Sequence, residues 1–156
     1  MITIYCDGGC RGNQEKNNIG AYGARILYKD VYMDIKKAFI NVTNNRMELT
    51  ACIESLAKLK RYDIPVTIYS DSAYVVNGMN SWVYNWERNG WKTSTKKDVE
   101  NKELWERLLN LTRLFIRVDF IKVKGHTGEN DGNSIADRLV NEAMDELENK
   151  IDKCRK

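Results

Sequence analysis

The chain has 156 residues, 25 Lys and Arg against 22 Asp and Glu, and a formal net charge of +3, with 42% hydrophobic residues. That length can bury a sizeable core as one domain, and the composition excludes a disordered, collagenous or disulfide-scaffold protein. No window approaches ~18 consecutive apolar residues, so no membrane span is expected, and the small positive charge alone is a weak pull toward polyanions.

Residues 1–7 alternate, with Ile2, Ile4 and Cys6 on one side and Thr3, Tyr5 and Asp7 on the other. This predicts a strand that ends in a carboxylate before Gly8 and Gly9. A polar loop through Gly12 and Asn13 leads to a second strand over 21–28, a tight turn at Lys29–Asp30, and a third strand over 31–42. The stretch TNNRMEL (43–49) then opens a helix over roughly 45–60, its apolar stripe formed by Met47, Ala51, Leu56 and Leu59. Pro65 precedes a fourth strand, 66–70, followed by Asp71. Strand, helix and strand in this order predict a parallel crossover, which brings Asp7 and Asp71 to one edge of the sheet, where ligands of open sheets gather.

A short helix is expected over 72–79. The segment 80–98 follows, holding Trp82, Trp86 and Trp91 together with Arg88, Lys92, Lys96 and Lys97, and Trp82 and Trp86 are spaced to share a helical face. A helix over 101–112 carries the stripe Leu104, Leu108, Leu111. A fifth strand spans 114–123, and a loop holds His126, the one histidine of the chain. A last helix, 133–150, repeats Ile135, Leu139, Ala143 and Leu147, with Asp137 off the stripe, and 151–156 is expected to fray. The sum is an α+β fold with three-layer, α/β-like packing: a five-stranded mixed sheet with helices on both faces. The four cysteines form no CxxC pair and read as reduced thiols, and the N-terminus lacks an export signal, so a cytoplasmic protein is expected.

Asp7 and Asp71 share a sheet edge, and the helices carrying Glu48 and Asp137 can pack beside it. Four clustered anions repel, and a multivalent cation offsets that cost. Without a Cys/His cluster or a calcium loop, hard Mg²⁺ fits, with Mn²⁺ as a substitute, and two ions about 4 Å apart would support in-line phosphoryl transfer. The plain alternative is that these are helix-start and turn residues, since an acid in a first turn is favoured by the helix dipole.

The chain resembles type 1 ribonuclease H over nearly its whole length. The likeness is carried, in order, by YCDGGCRGN (5–13), GAYGA (20–24), TNNRMEL, YSDSAYVVNG (69–78), NWERNGWKT (85–93), KGHTG (124–128) and NSIAD (133–137). The resemblance implies a ribonuclease H-like fold and two Mg²⁺ ions held by Asp7, Glu48, Asp71 and Asp137. It implies endonucleolytic hydrolysis of the RNA strand of an RNA–DNA hybrid, leaving 5′-phosphate and 3′-hydroxyl ends. It gives His126 a helper role in proton movement or product release, which suits an imidazole near neutral pH.

Asn13, Asn44, Asn45, Glu48 and Ser72 match positions that meet the RNA strand, whose 2′-hydroxyl distinguishes it from DNA. For Asn44 and Asn45 the competing role is helix capping. Thr43 matches a DNA-phosphate pocket residue and Arg46 adds charge nearby. The Trp-rich segment, 80–98, resembles a basic protrusion that grips DNA through Trp82, Trp91, Lys92, Lys96 and Lys97, with Trp86 mostly core and Trp91 the better surface candidate. The chain departs from the family pattern at Gly9 (often Ser), Gln14 (often Pro), Ala73 (often Gln) and Ser134 (often Glu), in a less basic protrusion, and in a longer loop between His126 and Asp137. A self-contained monomer with no obligate protein partner, no membrane contact and no appended hybrid-binding module is expected. A nuclease of the same superfamily and a non-catalytic hybrid binder are the rival readings.

Overall fold

The computed structural model describes residues 1–12, 18–124 and 131–154. Its sheet has five strands in the order β3-β2-β1-β4-β5, built from β1 (Ile2–Arg11), β2 (Ile19–Tyr28), β3 (Val31–Ile40), β4 (Val66–Ser70) and β5 (Val118–Lys122). β1, β2 and β3 form an antiparallel meander, while β4 pairs parallel with β1 and β5 parallel with β4. The helices are α1 (Asn44–Ala57), α2 (Ala73–Asn77), α3 (Val83–Arg88), α4 (Lys102–Thr112) and α5 (Gly132–Cys154), with a π-helical turn, Gly78–Trp82, between α2 and α3.

The period-two pattern of β1 decides the layering. Ile2, Ile4 and Cys6 are buried in the main core with Leu49, Cys52, Ile53 and Leu56 of α1. Ile19 and Ala21 of β2 instead join Val140, Ala143 and Met144 of α5 in a second cluster. Helices therefore cover both faces of the sheet. Among the described residues no helix is long and apolar enough to cross a membrane.

Several boundaries differ from expectation. β1 does not stop at Asp7 but runs on to Arg11, because Gly8–Arg11 continue the ladder with β2. Its parallel pairing with β4 does stop, at Tyr5 opposite Tyr69, whose rings stack with centroids 5.0 Å apart. Asp7 and Asp71 thus stand two residues beyond the last matched pair, where the strands part. The fifth strand is shorter than the apolar run suggested, since Leu114 and Phe115 donate back to Leu111 and Thr112 as the chain leaves α4. The tail does not fray at Ile151: α5 continues to Cys154, and Ile151 packs on the second cluster. The buried stripe of α5 runs through Ala136, Leu139, Val140, Ala143 and Met144, leaving Ile135 half-buried.

Trp105 of α4, which the periodic leucines overshadowed, is fully buried and anchors the aromatic segment. Its indole N–H donates to the Tyr74 hydroxyl at 3.0 Å and its ring packs on Trp86. A Cβ on Gly78 would lie 2.1 Å from that indole, so the π-helical turn seats here only with glycine.

Candidate active site

α1 places Glu48. Thr43 caps the helix, its hydroxyl accepting from the Arg46 N–H at 3.2 Å, so the capping role weighed for Asn44 and Asn45 falls to their neighbour. Asn44 is exposed and Asn45 half-buried. α1 lies so close to β1 that a Cβ on Gly8 would meet the backbone of Met47 and Glu48 at 2.4 Å. This approach lets the Gly8 N–H donate to Glu48 Oε1 at 2.8 Å.

Asp7, Glu48 and Asp71 each present a carboxylate oxygen, and the three lie within 4.8 Å of one another. Asp137 of α5 lines the same open cavity of about 410 Å³, together with Asn44, Ser72 and Arg11. Asp7 and Glu48 are buried, and Asp71 is half-buried. Burial and then the charge of Asp71 push the Asp7 carboxyl up to about 7, against lowering by the Glu48 side chain, with a smaller push from Asp137 and a smaller lowering by the Gly8 N–H. Burial first and the charge of Asp7 second hold Glu48 well above the usual carboxylate range.

Glu48 Oε2 is fully buried and accepts no hydrogen bond. A buried carboxylate oxygen without a partner is costly, and here it belongs to a side chain clustered with two further carboxylates. Hard oxygen donors in this arrangement fit a divalent cation of the Mg²⁺ or Mn²⁺ kind, and no thiol or imidazole among the described residues belongs to the group. Cys6 and Cys52 are free buried thiols 3.4 Å apart in the main core, and Cys10 lines the cavity without belonging to the carboxylate group.

The remaining predicted residues divide. Ser72 lines the cavity and also caps α2, its hydroxyl accepting from the Val75 N–H. Asn13 and His126 lie outside the described residues. Trp82 is 37% exposed and Trp86 half-buried, their rings 5.8 Å apart as the spacing predicted. Trp91 is corrected: it is buried, with a left-handed backbone at φ 61°, packed on Trp86, while its N–H donates to the Trp86 carbonyl and its carbonyl accepts from Val99. The better surface ring is therefore Trp82. Arg46 donates to Glu103 at 2.6 Å and to Asn101 at 3.1 Å, and Lys92 pairs with Asp98, so both cations are matched within the protein. Lys96 and Lys97 are exposed.

Sequence reasoning passed over Arg11 and Asn141, which both line the cavity. The signal available was the spacing Asp137, Asn141, Asp145, Glu148, one polar face of α5.

The family model of RNase H matches residues 1–145. The ribonuclease H of Clostridium botulinum (strain Hall) is 51% identical over 147 residues, covering 94% of this chain and 97% of its own. That of Francisella philomiragia is 48% identical over 149 residues, covering 96% and 94%. Among solved structures, LC9-RNase H1, described as a type 1 RNase H with the type 2 active-site motif, superposes with a TM-score of 0.80 at 31% identity, over 91% of this chain and 71% of that one. LC11-RNase H1, solved in complex with an RNA/DNA hybrid, has the same fold at a TM-score of 0.70 and 24% identity, over 94% and 98%. The carboxylate cluster at the mouth of a mixed five-stranded sheet thus belongs to a nuclease of the hydrolase class. The chain is a member of the type 1 ribonuclease H family, whose reaction is cleavage of the RNA strand of RNA–DNA hybrids.

Proposed function

We propose that this chain hydrolyses the RNA strand of an RNA–DNA hybrid endonucleolytically, with two Mg²⁺ ions held by Asp7, Glu48, Asp71 and Asp137. The observation that carries the reading is the meeting of carboxylate oxygens of Asp7, Glu48 and Asp71 within 4.8 Å, with Glu48 Oε2 buried and without a partner, in a cavity that Asp137 also lines. Bound there, Mg²⁺ supplies Lewis-acid charge neutralisation and a lowered pKa for water, and Mn²⁺ can substitute. Water adds at phosphorus and the bond to the 3′-oxygen breaks, which leaves a 5′-phosphate and a 3′-hydroxyl.

The chain's own side chains orient and discriminate. Glu48, Asn44, Asn45 and Ser72, with Asn13, read the 2′-hydroxyls and backbone of the RNA strand. Thr43, Trp82, Lys96 and Lys97 meet the DNA strand. In this reading Arg46 and Lys92 shape that surface through their partners rather than offering free charge. His126 assists by moving protons or releasing product. The hybrid bound to LC11-RNase H1 supports the choice of substrate.

The test presents one labelled strand as hybrid RNA, duplex RNA, duplex DNA or single-stranded RNA, with Mg²⁺ or chelator, for wild type and Asp71→Asn. Cutting is expected only in the RNA of the hybrid, lost with chelator and reduced at least ~10³-fold in Asp71→Asn. Tight hybrid binding without cutting in either metal would make the chain a binding module.

A further inference from the structure

Arg11 is the one cationic side chain lining the carboxylate cavity among the described residues. It ends β1, four residues after Asp7, and reaches across to α5. Its Nη1 donates to Asp145 at 2.7 Å and to Glu148 at 3.1 Å, and its Nη2 donates to Asn141 Oδ1 at 3.1 Å and to the Asn141 carbonyl at 3.4 Å. Asn141 in turn donates from Nδ2 to the Asp137 carbonyl at 3.0 Å. One guanidinium therefore grips three successive steps of the helical face whose first member is Asp137.

We propose that Arg11 is a positioning residue of the active site: it locks α5 onto the end of β1 and so fixes Asp137 relative to Asp7, Glu48 and Asp71. The inference rests on the metal-dependent reading above. The planar fork suits this role, because it holds several acceptors in fixed directions where an ammonium would act as a point charge. Elsewhere α5 is held by apolar packing of Val140 and Met144, by its close approach to Gly23 of β2 and by the Lys36 pairs to Glu142 and Glu146, none of which ties the helix by a hydrogen bond to the end of β1 beside Asp7. The four directed hydrogen bonds of Arg11 make that tie. Small displacements of a ligand matter in a site of this kind, since outer partners of metal ligands commonly change affinity or activity by about 10- to 100-fold.

Electrostatics alone would act in the opposite direction. Removing a cation from the rim, and leaving Asp145 and Glu148 unmatched, should draw Mg²⁺ more strongly to the cavity. The sign of the change in Mg²⁺ affinity therefore separates placement from charge.

The experiment compares wild type, Arg11→Met, Arg11→Lys and Asn141→Ala. It reads Mg²⁺ affinity on the substrate-free protein by calorimetric titration, kcat and KM on hybrid, and the thermal midpoint. The expected result is Mg²⁺ binding weakened about tenfold in Arg11→Met and lowered kcat with KM little changed. Arg11→Lys should stay impaired because it keeps charge without the fork, and Asn141→Ala should shift in the same direction at an assay temperature well below every midpoint. Unchanged or tighter Mg²⁺ binding in Arg11→Met overturns the proposal, as does a rise in KM alone, which would make Arg11 a substrate contact. A wild type that binds Mg²⁺ but cuts no hybrid would sink the nuclease reading, while the Mg²⁺ titrations would still decide the role of Arg11.

Discussion

Asp7 carries the sharpest consequence at the scale of one side chain. Its carboxyl titrates near 7 in the folded protein because burial and two neighbouring carboxylates disfavour its charge. The unfolded chain loses the same proton near the ordinary ~3.9. Between those values the folded state binds more protons than the unfolded one, so the contribution of this group to stability falls as pH rises from about 4 to about 7. Metal-free wild type should lose stability over that window, and Asp7→Asn should flatten the loss. At pH 8 the variant should be the more stable by about 2–4 kcal/mol, since each tenfold change in proton affinity between folded and unfolded chain is worth ~1.36 kcal/mol. Urea unfolding with chelator present measures it. A wild-type curve as flat as the variant's would show that the cluster is solvated and ionised without metal. Because Mg²⁺ requires the ionised carboxylates, its binding should release protons and tighten between about pH 6 and pH 8.

At the scale of elements, the site depends on how closely α1 sits on β1. Gly8→Ala places a methyl group against helix backbone at 2.4 Å, and backbone cannot swing aside as a side-chain tip would. The expected cost is about 3 kcal/mol with loss of activity, as Glu48 is pushed from its place. Gly9→Ala is the control: its Cβ meets only a Val140 methyl at 3.3 Å, and the urea midpoint should move little.

The same elements show what was legible in the chain and what was not. Period-two alternation in β1 was local and could be read directly, as could the existence of α1, β4 and α4 and the crossover that brings Asp7 and Asp71 together. The helical stripes were less legible: α4 buries Trp105 and Leu109 beside Leu108, and Leu59 of the expected α1 stripe lies beyond the helix end. The approach of Glu48 and Asp137 depends on which helix covers which face, and there the ordered family motifs did what periodicity alone does not. The extension of β1 to Arg11 was hidden because glycines signal a turn as readily as a strand that needs close approach. Trp91 misled for a related reason. A ring flanked by Gly90 and Lys92 reads as exposed, yet its left-handed backbone turns it under Trp86, a contact fixed by residues brought from α4. Trp82, one helical turn from Trp86, was legible because that pair is local.

For the whole molecule, a net charge of +3 says less than where unmatched charge remains. The arginines are largely matched by the protein's own acids: Arg11 with Asp145 and Glu148, Arg25 with Asp34, Arg46 with Glu103, Arg61 with Asp63, Arg113 with Glu87 and Arg117 with Asp119. In the aromatic protrusion Lys92 is likewise held by Asp98, whereas Lys96 and Lys97 are exposed and make no side-chain ion pair among the described residues. Electrostatic attraction to a nucleic-acid backbone scales with the cations that displace condensed counterions, so these two lysines should carry the protrusion's share of the grip. Each phosphate contact contributes about 0.7–0.9 to the slope of log affinity against log salt. In an Asp71→Asn background, Lys96→Ala with Lys97→Ala should reduce the slope for hybrid binding by about 1.5 between roughly 50 and 200 mM salt, read by fluorescence anisotropy. Lys92→Ala should change the slope less, because its charge is already matched, and should weaken binding mainly by releasing Asp98 to repel phosphate. Equal slopes with and without the two lysines would remove the protrusion from the DNA-binding surface and leave Thr43 and the α1 end to hold that strand.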